Sequence, residues 1–192
     1  MSRRLFLLTI VIITVLIINL FQFFVDEKMA KINRVKKIEN QETLAEIARS
    51  GQEDYVREIA IRKLDPERWS QLLITLSAKT EPFEVRKSAV KKMIDQRNLA
   101  KIARHSEDRE LRFHALAKLN TKKWQYLLKQ LAKQDPHKFN RWEAVKRIRD
   151  ADFLMDLARQ TSEPILIRRA AIENRHFQNQ QVLAEISRND SE

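Results

Sequence analysis

The 192-residue chain repeats its own sequence with a period of 55 residues. Residues 35–89 and 90–144 align without a gap and are identical at 19 of these 55 positions, and a partial third copy covers residues 145–189. Self-similarity at such a period is typical of helical units that stack, because each unit buries its apolar face only against its neighbours. The period therefore predicts a solenoid, and solenoids usually serve as binding surfaces.

The composition agrees with a chain that is almost entirely helical. It includes one glycine and four prolines, and 33% of its residues are charged. The absence of cysteine excludes disulfide bonds and thiolate metal sites. We therefore expect an all-α fold.

Each 55-residue copy divides into two predicted helical hairpins. The first helix of a hairpin carries two apolar residues three positions apart, which places both on one helix face. The second helix carries the pattern Arg-x-x-Ala, whose small alanine permits the close approach of a neighbouring helix. The apolar pairs are Leu44/Ile47, Leu73/Leu76, Leu99/Ile102, Leu128/Leu131, Leu154/Leu157 and Leu183/Ile186.

Turn residues lie between these helices. All four prolines follow an acidic residue, which predicts helices that begin with proline at their first position. Gly51 is predicted to end a helix in a left-handed conformation. The prolines are Pro66, Pro82, Pro136 and Pro164.

Residues 5–25 form an uncharged, predominantly apolar run. At ~1.5 Å per residue, such a helix spans the ~30 Å core of a bilayer. A cleavable signal peptide is the alternative, but its apolar core is about 7–15 residues long and is followed by an A-x-A-like site. We favour an uncleaved anchor that follows a short tail of residues 1–4 and precedes the repeat array of residues 26–189. Residues 190–192 are a free tail.

Charges around the anchor give conflicting signals about its orientation. Arg3 and Arg4 precede the run, and Asp26 and Glu27 follow it, which favours an N-terminus inside. The positive-inside rule also counts the basic residues within about 15 positions after the run, and their number favours a cytoplasmic C-terminal side. We assign these basic residues to a folded helix rather than to the flank of the membrane span, and we therefore favour a repeat array that faces outward. The basic residues are Lys28, Lys31, Arg34, Lys36 and Lys37.

The motifs LAEIA (44–48) with VREIA (56–60), LAKIA (99–103) with LRFHA (111–115), and LITLS (73–77) with VRKSA (85–89) resemble the short HEAT-like repeats of bacterial proteins. This family includes the phycobilin lyase type. The resemblance covers roughly residues 30–189 and implies a right-handed α-α solenoid. Together with the predicted anchor and the charges around it, we expect this solenoid at a bacterial inner membrane, on the periplasmic side. The resemblance also implies that the arginines of the second helices form a structural ladder of buried polar contacts. These are Arg57, Arg86, Arg112, Arg141 and Arg168.

No pattern in the sequence indicates catalysis. The chain lacks a glycine-rich phosphate loop, a Gly-x-Ser-x-Gly motif and a cysteine nucleophile. Its four histidines show no spacing that would bring metal ligands together. We therefore predict a protein that is not an enzyme and that holds no metal or cofactor.

The strongest functional signal is a column of basic residues that follows each repeat alanine. A surface of one charge sign attracts acidic partners, and 35 basic residues accompany 26 acidic ones after residue 25. The alternative is that these residues only stabilise the last turn of each helix. Candidate partner-binding residues are Lys37, Arg62, Lys63, Lys91, Lys92, Lys118, Lys146 and Arg147.

Two aromatic residues lie next to this column and are the preferred apolar anchors. Phe113 and Trp142 each follow a repeat arginine, and aromatic residues are enriched at binding hot spots. Trp69 and Trp124 share another column and are expected to pack between units.

We therefore predict a membrane-anchored scaffold that docks an acidic protein partner on a concave face. The alternative is a binder of an anionic polymer, nucleic acid or lipid headgroups through the basic column. Nucleic acid is the less favoured ligand, because the anchor separates the chain from most DNA. Analogy with the family also suggests a lyase-like activity, but no residue of this chain supports it.

Overall fold

The computed structural model describes residues 3–177, 179–180 and 182–184, with side chains from residue 10 onward. All regular secondary structure in these residues is helical, so the prediction of an all-α fold is confirmed. Ile186 and the predicted C-terminal tail, together with residues 1–2 of the N-terminal tail, lie outside the described residues. The helices are α1 (Arg3–Lys37), α2 (Gln41–Ser50), α3 (Asp54–Lys63), α4 (Ser70–Leu76), α5 (Phe83–Lys92), α6 (Gln96–His105), α7 (Arg109–Ala117), α8 (Gln125–Gln134), α9 (Lys138–Arg147), α10 (Ala151–Arg159) and α11 (Ile165–Ile172).

Helix α1 combines the apolar run with the start of the repeat array. It is the one helix in the described part of the chain that is long and apolar enough to cross a membrane. Every side chain from Ile10 to Val25 is exposed, and such a continuous apolar surface requires a partner other than water. The helix continues without interruption to Lys37, so no flexible linker follows the apolar segment.

The chain divides into two compact units between Asp65 and Pro66. In the first unit α2 packs against α3, and α3 packs against α1. Val35 is buried, and Lys31 Nζ lies 2.7 Å from Glu53 Oε1 at the start of α3. The C-terminal end of α1 therefore belongs to the core of this unit.

In its described residues, the second unit contains four pairs of consecutive helices: α4 with α5, α6 with α7, α8 with α9, and α10 with α11. The second helices also contact one another in order, because α5 packs on α7, α7 on α9, and α9 on α11. The first leucine of each apolar pair and the repeat alanine are fully buried. These residues are Leu73, Leu99, Leu128 and Leu154 with Ala89, Ala115, Ala144 and Ala171.

The first helix of each 55-residue copy begins with a side-chain cap. Oδ1 of Asn40, Asp95 and Asp150 accepts a hydrogen bond from the backbone N–H three residues later, at 2.8, 2.7 and 3.0 Å. Such a bond satisfies one of the N–H groups that a helix start leaves without an acceptor. The capping residues recur every 55 positions and therefore mark the same period as the sequence repeat.

The turn residues differ from the sequence prediction. Pro82 and Pro164 occupy the N-cap position rather than the first helical position, with ψ of 146° and 141°. Their fixed φ suits this extended cap, and they remove no helical hydrogen bond there. Gly51 has φ −56° and is not left-handed. It instead permits a close approach, because a Cβ at this position would lie 2.7 Å from Ile47 O.

Candidate partner-docking surface

The repeat arginines reach back to the preceding helix of their own hairpin. Nε of Arg57, Arg141 and Arg168 donates to the carbonyl oxygen nine or ten residues earlier, at 2.9, 2.7 and 3.0 Å. These oxygens belong to the last turn of the first helix, where carbonyl groups lack intrahelical donors. The contacts couple the two helices in three hairpins, whereas Nε of Arg86 in α5 is buried and makes no hydrogen bond with any described residue.

Three of the arginines also reach forward to the next hairpin. Arg86 pairs with Asp108, Arg112 with Asp135 and Arg141 with Glu163. Each carboxylate lies in the turn within the following hairpin, 22 or 23 residues along the chain. The structural-ladder role of the five arginines stays a prediction, which unfolding measurements can test.

Asp135 makes the most buried of these contacts. Burial on its own raises the pKa of Asp135, but hydrogen bonds from Arg112, the His137 N–H and Asn140 outweigh it and hold this pKa below its ordinary value. The carboxylate therefore stays charged beside Arg112, and the pair resembles a buried salt bridge whose members depend on each other.

A second set of contacts, made by glutamine side chains, was not predicted from the sequence. The side chains of Gln41, Gln96 and Gln125 each donate to the carbonyl oxygen 22 residues later at 3.2 Å. Each also accepts from the N–H 24 residues later, at 2.8, 2.7 and 2.8 Å respectively. Each glutamine lies at the start of the first helix of a hairpin and thus links this helix to the end of the second helix of the same hairpin. Residues 41 and 96 are both glutamine and align in the 55-residue repeat, and this pattern could have indicated a shared structural role.

The basic column divides into two groups. Lys63 Nζ donates to the carbonyl oxygens of Lys36 and Ile38, and Lys118 Nζ donates to that of Lys91. These two lysines cap helix ends, as the alternative interpretation of the column expects. Burial, with a smaller contribution from Lys92, lowers the pKa of Lys118.

The other members of the column are more accessible. Arg147 Nε lies 2.6 Å from Glu143 Oε1, and Lys146 Nζ lies 4.2 Å from the ring centre of the predicted anchor Trp142. Lys92 and Arg147 are half-buried. The exposed members are Lys37, Arg62, Lys91 and Lys146.

The predicted anchor Phe113 lines a cavity of about 380 Å³ between α7 and α9. Phe139 lines the same cavity and is 50% exposed. Its ring centre lies 5.7 Å from that of His137, whose Nε2 lies 3.3 Å from Arg109. Nδ1 of His137 is buried and makes no hydrogen bond with any described residue. The cavity therefore offers two aromatic rings, and one of its lining residues holds a buried polar atom without a described partner.

Two lysines of α5 act electrostatically on a residue that lines this cavity. The pKa of His114 is lowered first by burial and then by the charge of Lys91, with a weaker lowering by Lys87, while Glu110 acts in the opposite direction. Lys87 Nζ also pairs with Glu84 at 2.5 Å and lies 4.0 Å from Glu110. Cationic and aromatic side chains thus occur together on three second helices that contact in series. We call this set the docking surface. It comprises Lys87, Lys91, Phe113, His114, Phe139, Trp142 and Lys146.

We expect the titration of His114 to report the charge of the docking surface. By NMR of the full chain in detergent micelles, its pKa should lie below the ordinary 6.5 and rise in Lys91→Gln without reaching that value, because burial is the larger cause. Stability contributed by neutral His114 is present above pH 6.5 and lost as the pH falls towards the lower folded-state pKa. Lys101→Gln, an exposed lysine on α6, is the control. An unchanged His114 pKa in Lys91→Gln would contradict this arrangement.

Sequence reasoning missed Phe139, His137 and Lys87. Phe139 stands two positions before the repeat arginine Arg141, where the two preceding hairpins have Glu84 and Glu110. Such a departure from the repeat was the available signal. Trp69 and Trp124 precede α4 and α8 as N-cap residues, and Trp124 packs against the core of the second unit. Within the described residues, no three His, Asp or Glu side chains converge as metal ligands would.

No protein-family profile, curated protein or solved structure matches the chain.

Proposed function

We propose that the protein is a non-catalytic, membrane-anchored scaffold that binds an acidic protein partner on the docking surface. The observation that carries this proposal is the cavity between α7 and α9, where a half-exposed Phe139 and Phe113 lie beside the cationic Arg109. The lining also includes one carboxylate, that of Glu110. Large aromatic side chains beside cations are typical of interface hot spots. A half-exposed phenylalanine also gains from burial against a partner.

The fold that we propose for this surface is a right-handed α-solenoid of HEAT-like hairpins. Its support is the serial packing of α5, α7, α9 and α11, together with the repeat arginines that link one hairpin to the next. The 55-residue period of the sequence extends the same hairpin pattern towards residue 26. Serial packing of second helices places their exposed side chains on a common face, which suits an extended partner.

The charges of the docking surface select the partner. Lys91 and Lys146 are exposed, and Lys146 lies over the Trp142 ring. An acidic segment with one aromatic or large apolar side chain would place that side chain in the cavity and its carboxylates near the lysines. Complementary charge speeds association and excludes basic competitors.

We propose that α1 anchors the scaffold as a single span in a bacterial inner membrane, with the repeat array outside the cytoplasm. The continuity of α1 into the first unit supports a short, ordered connection to the membrane. Alkaline phosphatase and a fluorescent protein, each fused after Glu192, test the orientation. Active phosphatase with a dark fluorophore agrees with the proposal, and the reverse result places the array in the cytoplasm.

An anionic polymer is the second candidate ligand, because the chain carries a net charge of +11. Lys63 and Lys118 argue against it, since they cap helix ends instead of lining a continuous basic surface. A polymer binder needs cations along its whole groove. The docking surface instead concentrates aromatic residues at one place.

Binding to defined probes distinguishes the two candidates. The full chain in phosphatidylcholine nanodiscs is titrated with a glutamate-rich peptide that contains one central tryptophan, the same peptide with alanine at that position, and single-stranded DNA. We expect the tryptophan peptide to bind at least about tenfold more tightly than the alanine peptide. Phe139→Ala should remove this difference, because it removes the exposed wall of the cavity.

Tyr126→Ala is the matched control, because Tyr126 is a highly exposed aromatic residue on the first helix α8. It should bind like the wild type. Equal binding of the two peptides, or tightest binding to DNA with a steep loss at higher salt, would refute the docking of an acidic protein and favour the polymer.

A further inference from the structure

A second cavity lies where the loops after α9 and α11 meet. Its volume is about 250 Å³, and its lining includes Lys146 and Arg147 from the last turn of α9, Arg149 from the loop after α9, and Arg175 and His176 from the loop after α11. Four of these five side chains are cationic at neutral pH. Glu143 is the one carboxylate among the described residues that line it.

Hydrogen bonds with side-chain amides hold the backbone of both loops. Buried Asn174 donates from Nδ2 to the carbonyl oxygen of Val145 at 2.7 Å and accepts at Oδ1 from the His176 N–H at 2.9 Å. Gln125 Oε1 accepts from the Arg149 N–H at 2.8 Å. The cationic side chains therefore extend from backbone that is already held in place, which lowers the entropy lost when a ligand binds.

The positive charge of this cavity is only partly compensated. Arg147 pairs with Glu143 at 2.6 Å. Within the described residues, neither Arg149 nor Arg175 forms a salt bridge with a carboxylate, and Arg175 Nε instead lies 3.3 Å from His176 Nε2. A concave surface with uncompensated charge attracts anions.

Helix-end stabilisation does not account for these arginines. Cations are favourable within the last turn of a helix because of its dipole, and the effect falls off beyond that turn. Arg149 follows the last residue of α9 by two positions, and Arg175 follows the last residue of α11 by three positions. The nearby carbonyl oxygens of Val145 and Ile148 already accept hydrogen bonds from Asn174.

We infer that this cavity binds a phosphate group, either as the free ion or as the end of a phosphomonoester. Guanidinium groups are planar donors that match phosphate oxygens in pairs, and Thr121, which also lines the cavity, offers a hydroxyl donor. The volume is below the ~300–1,000 Å³ of sites for drug-sized ligands and suits a small anion. The inference goes beyond the proposed function and does not depend on it, because the docking surface shares only Lys146 with this cavity.

Calorimetric titration of the full chain in maltoside micelles, in a buffer without phosphate, tests the inference. The probes are inorganic phosphate and glycerol 1-phosphate, and the variants are Arg149→Ala and Arg175→Ala, both at exposed positions. We expect saturable binding to the wild type and a loss of about tenfold or more in each variant. Binding of both probes indicates a site for the end of a phosphomonoester, and binding of inorganic phosphate alone indicates a site for the free ion.

Arg97→Ala is the matched control, because it removes an exposed arginine on α6 and changes the net charge equally. It should bind like the wild type. The absence of saturable binding to either probe would overturn the inference, and so would an equal loss in Arg97→Ala, which would indicate an effect of net charge alone.

Discussion

Replacement of Asp135 by alanine is expected to destabilise the second unit by about 3–5 kcal/mol, because it leaves a buried charge without its partner. Asp135 is 5% exposed and Arg112 is 8% exposed, and two hydrogen bonds of 2.8 and 3.0 Å join them. In the variant, the guanidinium keeps only the carbonyl oxygens of Ser106 and Glu107. The N–H of His137 also loses its acceptor.

Urea unfolding of the full chain in detergent, followed by tryptophan fluorescence, measures this effect. All three tryptophans follow Pro66, so the signal reports the second unit. At ~1–3 kcal/mol per molar urea, the unfolding midpoint should fall by about 2 M. Removal of both charges in Arg112→Met with Asp135→Leu should restore part of the loss, because no unpaired charge then remains buried.

Glu107→Ala is the matched control for a lost carboxylate. Glu107 pairs with Lys79, and their side chains are 77% and 78% exposed. Such a surface pair contributes at most about 1 kcal/mol. If Asp135→Ala were no more destabilising than Glu107→Ala, the forward contacts of the arginines would not hold the hairpins together.

Acidification should reduce the difference between wild type and Asp135→Ala. The folded-state pKa of Asp135 is below its ordinary 3.8, so its contribution is present above pH 3.8 and is lost as the pH falls through the folded-state value. The two unfolding free energies should therefore converge below about pH 3.8. A difference that persisted unchanged to lower pH would indicate that packing, rather than charge, causes the loss.

Leu128→Ala is the substitution with the second-largest expected effect. Leu128 is fully buried in the apolar stripe of α8, and a truncation of this kind costs about 2–5 kcal/mol through lost burial and the cavity that remains. The same urea experiment should show a midpoint lowered by ~1–2 M with an unchanged slope. Because the substitution removes only an uncharged aliphatic side chain, the loss of unfolding free energy should not change with pH.

Tyr126→Ala on the same helix supplies the comparison. Tyr126 is 73% exposed, and surface substitutions usually change stability by no more than about 0.5 kcal/mol. Similar effects of Leu128→Ala and Tyr126→Ala would mean that the stripe does not define the buried face of α8.

The apolar stripes and the repeat alanines could be predicted from the sequence, because burial imposes one residue type at one helical position. The leucines and alanines of the second unit, spaced 26 to 29 positions apart, are fully buried as that rule requires. The long apolar helix α1 followed from composition in the same way, since a run that could cross a bilayer needs about this length. These features depend on local pattern alone.

The contacts that link helices could not be predicted as easily. The pairing of Arg112 with Asp135 joins residues 23 positions apart, and the sequence alone does not say which acidic residue lies near which arginine. The same holds for the glutamine contacts and for Lys63 and Lys118, whose roles depend on which carbonyl oxygen a long side chain reaches. The cavity at Phe139 depends on how α7 and α9 pack, which no single helix encodes.

Site-specific photo-crosslinking tests the docking surface most directly. Benzoylphenylalanine is placed at Phe139, or at the exposed control position Tyr126, in the full chain within membranes of the cells that express it. We expect an adduct with an acidic protein at position 139, none at position 126, and a weaker adduct when Lys87 and Lys91 are both changed to glutamine. No adduct at position 139, equal adducts at both positions, or an adduct with nucleic acid would contradict a scaffold that docks an acidic protein.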